Sequence, residues 1–211
     1  MVRSWSWRHG RSAPGVDNVF QSDTIRKAPQ DYVEARYKEI EKAWTFIPNL
    51  HRTLAESPVT LQAYDALFGL VGQSSFSPAE QQVAFLAINV ANECEYCTAG
   101  HSVLAKMAGV TPDVVEALRE SAPVADARLE ALRHFVERVV AERGFAGDAA
   151  VEAFLAAGFT RAQVLEVVLI VATKTISNYV NHHTHTPLDP IKAPTKTTAP
   201  RNLTHAARAR N

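Results

Sequence analysis

Between residues 29 and 192, apolar side chains recur every three or four positions, the spacing of helices that bury one face, and no segment alternates as a half-buried strand would. "DYVEARYKEIEKAW" (31–44) and "SPVTLQAYDALFGLVGQ" (57–73) each carry an apolar stripe. "ARLEALRHFVERVVAERG" (127–144) places Leu129, Leu132, Phe135, Val136, Val139 and Val140 on one face and ends in Gly144. Helix starts are marked as well. Ser77-Pro78-Ala79-Glu80 combines an N-cap serine, a proline at the first helical position and a glutamate at the third. Thr111-Pro112 opens a helix after Gly109 closes one, and Thr160-Arg161-Ala162-Gln163 is a second capping box before a long apolar helix. The pattern predicts an all-α fold, with Trp44, Phe68, Phe85 and Phe135 in its core.

Flanking segments lack this periodicity. Residues 1–28 mix Ser, Gly, Pro and Arg and read as a flexible arm, in which Trp5 and Trp7 are candidates to anchor it on a neighbouring subunit. Residues 193–211 read as a similar tail, leaving 29–192 as one helical domain. Within it, "FSPAEQQVAFLAINVANECEYC" from Phe76 can be laid without gaps on "FTRAQVLEVVLIVATKTISNYV" from Phe159. Each copy reads as a capping box, an apolar helix, a polar break and then an aromatic, which favours an internal duplication.

Composition narrows the function. The 211 residues carry 22 basic and 22 acidic side chains, a balance that gives no electrostatic footprint for nucleic acid or an anionic membrane. The start of the chain shows arginines without the apolar stretch of a secretory signal, and the longest apolar run, "VVLIVA" (167–172), is far short of the roughly 20 residues of a membrane span. A cytoplasmic protein is expected. In that reducing setting, the chain's two cysteines, spaced Cys94-x-x-Cys97, point to catalysis or metal binding before a structural disulfide.

Asn92 is a candidate cap for the helix that carries these cysteines, with Glu95 closing its box. Cys94 would then lie in the first turn, where the helix dipole favours a thiolate. At about 100° per residue, His101 lies about 40° around the axis from Cys97 and about 20° from Cys94, so all three face one way. Such a group supports a definite cycle. One thiolate attacks a peroxide and becomes a sulfenic acid, the other condenses with it to a disulfide, and an external dithiol resets the pair.

The stretch "NECEYCTAGHS" resembles the cysteine–histidine core of the alkylhydroperoxidase D group, within the carboxymuconolactone decarboxylase superfamily. The likeness extends over roughly residues 45–190, through "VTPDVVEALR" and "ISNYVNHHTHTPLD". The resemblance implies an all-helical fold with an internal repeat, a homotrimer or homohexamer, and peroxide reduction without a bound cofactor. It further implies Cys97 as the attacking thiol, Cys94 as the resolving one and His101 in the proton relay. The relay glutamate of the family falls twelve positions before the first cysteine, where this chain has Gln82. Glutamine orients a water but does not exchange protons. Glu80 is nearby in sequence as a substitute, although its place in the Ser77 capping box gives it a structural reading. The partners implied are a hydrogen peroxide or small organic hydroperoxide substrate and a lipoyl-bearing or thioredoxin-like dithiol reductant.

Other readings compete. A thiol–disulfide oxidoreductase of weak peroxidase activity uses the same residues. A zinc site needs a fourth ligand beside Cys94, Cys97 and His101, which His182, His183 or His185 would supply, but no second Cys-x-x-Cys accompanies them. Lactone decarboxylation has no use for a vicinal dithiol. A non-enzymatic helical assembly would merely bury both cysteines. Tyr96, between the cysteines, either shields the site or stands half exposed.

Overall fold

The computed structural model describes residues 23–190, so the expected arm and tail lie almost wholly outside the described residues, Trp5 and Trp7 included. Among the described residues the chain is helical, with no strand: α1 (Asp23–Trp44), α2 (Asn49–Leu54), α3 (Pro58–Val71), α4 (Pro78–Ala91), α5 (Glu95–Met107), α6 (Pro112–Arg119), α7 (Ala127–Ala141), α8 (Asp148–Ala156) and α9 (Arg161–Thr184). The all-α expectation holds. No single helix among these is long and apolar enough to cross a membrane.

The chain divides into two units, Met1–Phe46 and Ile47–Asn211. The described part of the first is α1, where Arg36 and Glu39 pair at 3.1 Å one turn apart. Trp44, expected in the core, is 44% exposed; it occupies the last turn of α1, beyond Ile40, the last buried apolar position of that helix.

In the second unit α4 is the central element, packing on α5, α6, α7 and α9. Its residues Val83 to Val90 are all buried, as a helix apolar on every side must be when neighbours surround it. The caps read from sequence form at both ends of the repeat. Ser77 Oγ accepts from the Glu80 N–H while Glu80 accepts from the Ser77 N–H, and Thr160 and Gln163 do the same for α9. Gly109 and Gly144 take left-handed φ values of 84° and 91° just past α5 and α7, where a side chain would be strained. On α7, Leu132, Phe135, Val136 and Val139 are buried, with Leu129 and Val140 partly covered.

Phe76 and Phe159, the first residues of the two copies, touch at 5.9 Å between ring centroids, and Phe159 continues into a stack with Phe154 and Phe135. The second copy has no polar break, however. α9 runs unbroken for 24 residues. "TKTISN" stays helical because its polar side chains find buried partners, so the helix is not interrupted there.

Candidate functional site

The site begins at the break that only the first copy contains. Asn92 is the C-cap of α4, not the N-cap of α5, and its side chain donates to Asn178 Oδ1 at 2.9 Å. Glu93 takes the left-handed conformation at φ 53°, and Cys94 becomes the N-cap of α5. Cys97 therefore sits in the first turn of α5, where backbone N–H groups and the helix dipole favour an anion. His101 follows one turn later on the same face.

The face opposite them comes from α9. Thr173, Lys174, Ser177, Asn178 and Asn181 form a buried polar stripe that continues the buried line of Gln163, Val167 and Ile170. Asn181 Nδ2 donates to Cys97 Sγ at 3.2 Å and lies 3.8 Å from Cys94 Sγ. Cys97 Sγ and Ser177 Oγ are 3.8 Å apart. Lys174 Nζ is 3.1 Å from His101 Nε2, and Gln82 Oε1 is 2.8 Å from His101 Nδ1. An amide oxygen only accepts, so Nδ1 carries the imidazole proton and Nε2 offers its lone pair to the lysine. Below them the Phe85 ring packs on His101 at 4.7 Å.

The two thiols are free and buried, exposed by 2% and 3%, yet electrically unlike. Burial pushes the Cys97 thiol up. The hydrogen bond from Cys94, the Lys174 ammonium and the Ser177 and Asn178 side chains outweigh it and hold Cys97 well below the usual thiol range. The Cys94 thiol is pushed far up, first by its hydrogen bond to Cys97, then by burial and by the repulsion of a neighbouring thiolate. The result is one sulfur that favours the anion and one that favours the protonated donor. The dipole argument from sequence favours Cys94, the residue nearer the helix start. Its position at the cap itself and the polar stripe on α9, which faces Cys97, reverse that order.

Cys94, Cys97, His101 and Gln82 thus converge, and Glu80 does not join them. Glu80, two residues before Gln82 but on another face of α4, sits in the Ser77 capping box and takes the Arg128 guanidinium at 2.9 Å. Burial works to raise its carboxyl, but the Ser77 N–H and Arg128 hold it below the usual value. Its structural reading is the one the geometry supports. Tyr96 is buried. Its hydroxyl donates to Asp189 Oδ2 at 2.6 Å and accepts from the Leu50 N–H, tying the starts of α2 and α5 to the segment after α9. His182, His183 and His185 are exposed at the end of α9, and no group of three or more potential metal-ligating side chains forms among the described residues.

Sequence reasoning missed Lys174, Ser177, Asn178 and Asn181. Their signal was present: polar residues at helical spacing that prolong an apolar stripe, which marks a buried polar face.

The sequence profile of the carboxymuconolactone decarboxylase family matches residues 58–138. No curated protein sequence matches significantly. Among solved structures, an alkylhydroperoxidase AhpD core, an uncharacterized peroxidase-related protein from Ralstonia eutropha JMP134, superposes with a TM-score of 0.70 at 22% identity, over 77% of this chain and 87% of that one. An uncharacterized peroxidase-related protein from Silicibacter sp. TM1040 gives 0.62 at 19% identity, over 75% and 84%. A variant of the debrominase Bmp8 in complex with 2,3,4-tribromopyrrole gives 0.62 at 15% identity, over 82% and 91%. At these identities the likeness is one of fold.

Proposed function

From the match of residues 58–138 to the carboxymuconolactone decarboxylase family and the likeness of fold to an alkylhydroperoxidase AhpD core, we propose a thiol-dependent peroxidase acting through Cys97, Cys94 and His101. The observation that carries this reading is the unequal pair of sulfurs under one amide: Cys97 held as a thiolate, Cys94 held protonated, and Asn181 Nδ2 against both.

The cycle balances on these groups. The Cys97 thiolate attacks the distal oxygen of R–O–O–H, the O–O bond breaks, and RO⁻ leaves as the alcohol after taking a proton from the buried hydrogen-bonded group around His101. Cys97 is then a sulfenic acid. The Cys94 thiol attacks its sulfur, the S–S bond forms, and the Cys94 proton departs with the hydroxyl as water. An external dithiol reduces the disulfide and is itself oxidised, returning both protons. Gln82 serves this cycle by orienting the imidazole. Burial of both sulfurs favours hydrogen peroxide and small organic hydroperoxides over bulky ones. No metal or cofactor enters these steps.

The reading includes assembly as a homotrimer or homohexamer in the cytoplasm and a lipoyl-bearing or thioredoxin-like protein as reductant. Support for assembly comes from α9, where Leu165, Val168 and Tyr179 are exposed large apolar side chains on one stripe. The test is consumption of hydrogen peroxide and tert-butyl hydroperoxide in the presence of dithiothreitol or dihydrolipoamide. Steady turnover that is lost in Cys97→Ser is expected; turnover that survives both Cys97→Ser and Cys94→Ser overturns the proposal.

A further inference from the structure

Lys174 lies in the middle of α9 with no exposure at all. An ammonium buried without an anion costs several kcal/mol or gives up its proton, so its surroundings must explain it. No carboxylate pairs with it among the described residues. On the helices packed against α9, Asp65 of α3 faces His51 of α2 at 3.8 Å, and Glu130 and Glu137 of α7 pair with Arg133, with His134 beside Glu130. Asp189 takes the Tyr96 hydroxyl and the Asn49 N–H, and Glu166, on α9 itself, takes the Ser75 N–H and hydroxyl. Tyr64 lies edge-on to His51.

The groups that do face Lys174 belong to the dithiol site. On α5, Cys97 and His101 are one turn apart; on α9, Lys174 meets His101 while Ser177 and Asn181 meet Cys97. Cys94 completes the cluster through Asn181. From α4 come Gln82, which has no charge, and the Phe85 ring, 5.5 Å from Nζ.

We propose that Lys174 is a positioning residue of the dithiol site: its ammonium is the cation that balances the Cys97 thiolate, and by donating to Nε2 it holds His101 as the neutral Nδ1–H imidazole. The logic is one of charge placement. Glutamine at position 82 brings no charge to Nδ1, and an ammonium at Nε2 opposes an imidazolium. The positive charge that the thiolate needs is therefore carried by the lysine, one hydrogen bond beyond the histidine. This inference deepens the peroxidase reading and rests on it for its purpose, but thiol acidity can be read without any peroxide.

The test compares Lys174→Met and Lys174→Arg with the wild type in two assays: thiolate absorbance at 240 nm against pH, and iodoacetamide alkylation of Cys97 at pH 7. Lys174→Met should move the thiolate titration to higher pH and slow alkylation by roughly tenfold or more, one pH unit of acidity corresponding to about tenfold in thiolate. Lys174→Arg, which keeps the charge, should restore most of both. An unchanged titration in a folded Lys174→Met protein overturns the proposal. Should that variant not fold, Lys174→Gln, which keeps a polar end without the charge, supplies the same two measurements: a thiolate titration moved to higher pH supports the proposal, and an unchanged one overturns it. A lysine-dependent thiolate in a protein inert to peroxide would leave this inference standing and remove the peroxidase reading alone.

Discussion

The side-chain amide of Asn181 lies 3.2 Å from the sulfur of Cys97 and 3.8 Å from that of Cys94. Asn181 comes from the last turn of α9 and the cysteines from the start of α5, so one donor faces both sulfurs. Its own Oδ1 is buried without a hydrogen-bond partner. Removing the amide should loosen the pair and weaken the thiolate. Asn181→Ala is expected to raise the pH at which Cys97 ionises and to lower peroxide turnover by roughly tenfold, within the usual 1.5–3 kcal/mol of a hydrogen bond to a charged group. Thiolate absorbance and peroxide consumption check the two effects separately.

The unequal acidities assign distinct phenotypes to the two cysteines. Cys94→Ser retains the nucleophile but not the partner, so one equivalent of peroxide should be consumed and a sulfenic acid should accumulate. Dimedone labelling followed by mass spectrometry should locate it at Cys97. Cys97→Ser should give little label at Cys94, whose thiol burial still pushes up once the neighbouring sulfur is gone. Labelling at Cys94 would reverse the order of attack.

Gln82 marks where this chain departs from the relay that its family resemblance implies. Its Oε1 already accepts from His101 Nδ1 at 2.8 Å, so glutamate at that position needs no new geometry. Gln82→Glu places a proton acceptor there and should increase peroxide turnover at neutral pH. A rate equal to or below that of the wild type would show that the carboxylate is not what limits the enzyme.

Tyr96 connects the site to the rest of the fold through its hydroxyl. Burial pushes this phenol up, and the Asp189 carboxylate beside it pushes further, so it stays protonated. Tyr96→Phe leaves the Leu50 N–H and one Asp189 oxygen without that partner in a buried place. A loss of about 1–3 kcal/mol is expected, seen in calorimetry as a fall of several degrees in Tm.

Acid sensitivity should trace to α7. The Arg133 guanidinium beside Glu130 holds its carboxyl down to about 2, against an ordinary value near 4.5. A carboxyl depressed in the fold stabilises it fully above the unfolded value and loses that contribution as pH falls towards about 2. Stability measured by urea unfolding should therefore decline from about pH 5 downward, and Glu130→Gln should flatten that decline while lowering stability at pH 7.

The helices were legible in the sequence because their signals are local. Ser77 with Glu80, Thr160 with Gln163, and the stripe from Leu132 to Val139 each act within one or two turns. The convergence of Cys94, Cys97 and His101 was legible for the same reason. Asn92 misled because a polar residue between two helices caps either one, and the left-handed turn at Glu93 is not written in its residue type. Trp44 misled because aromatic character alone does not say whether a helix end is covered. The bed of α9 side chains went unread for a tertiary reason: "TKTISN" has the composition of a break, and only contact with α5 turns it into a lining.

That α9 is continuous where the segment aligned with it in sequence splits into α4 and α5 gives the two segments different parts in the site. The split half contributes reactive atoms at a fresh helix start; the intact half contributes a rigid rail of amides, hydroxyl and amine against them. Neither segment forms the site by itself, so shifting the rail against the sulfurs by a single helical residue would take the site apart while leaving every helix in place.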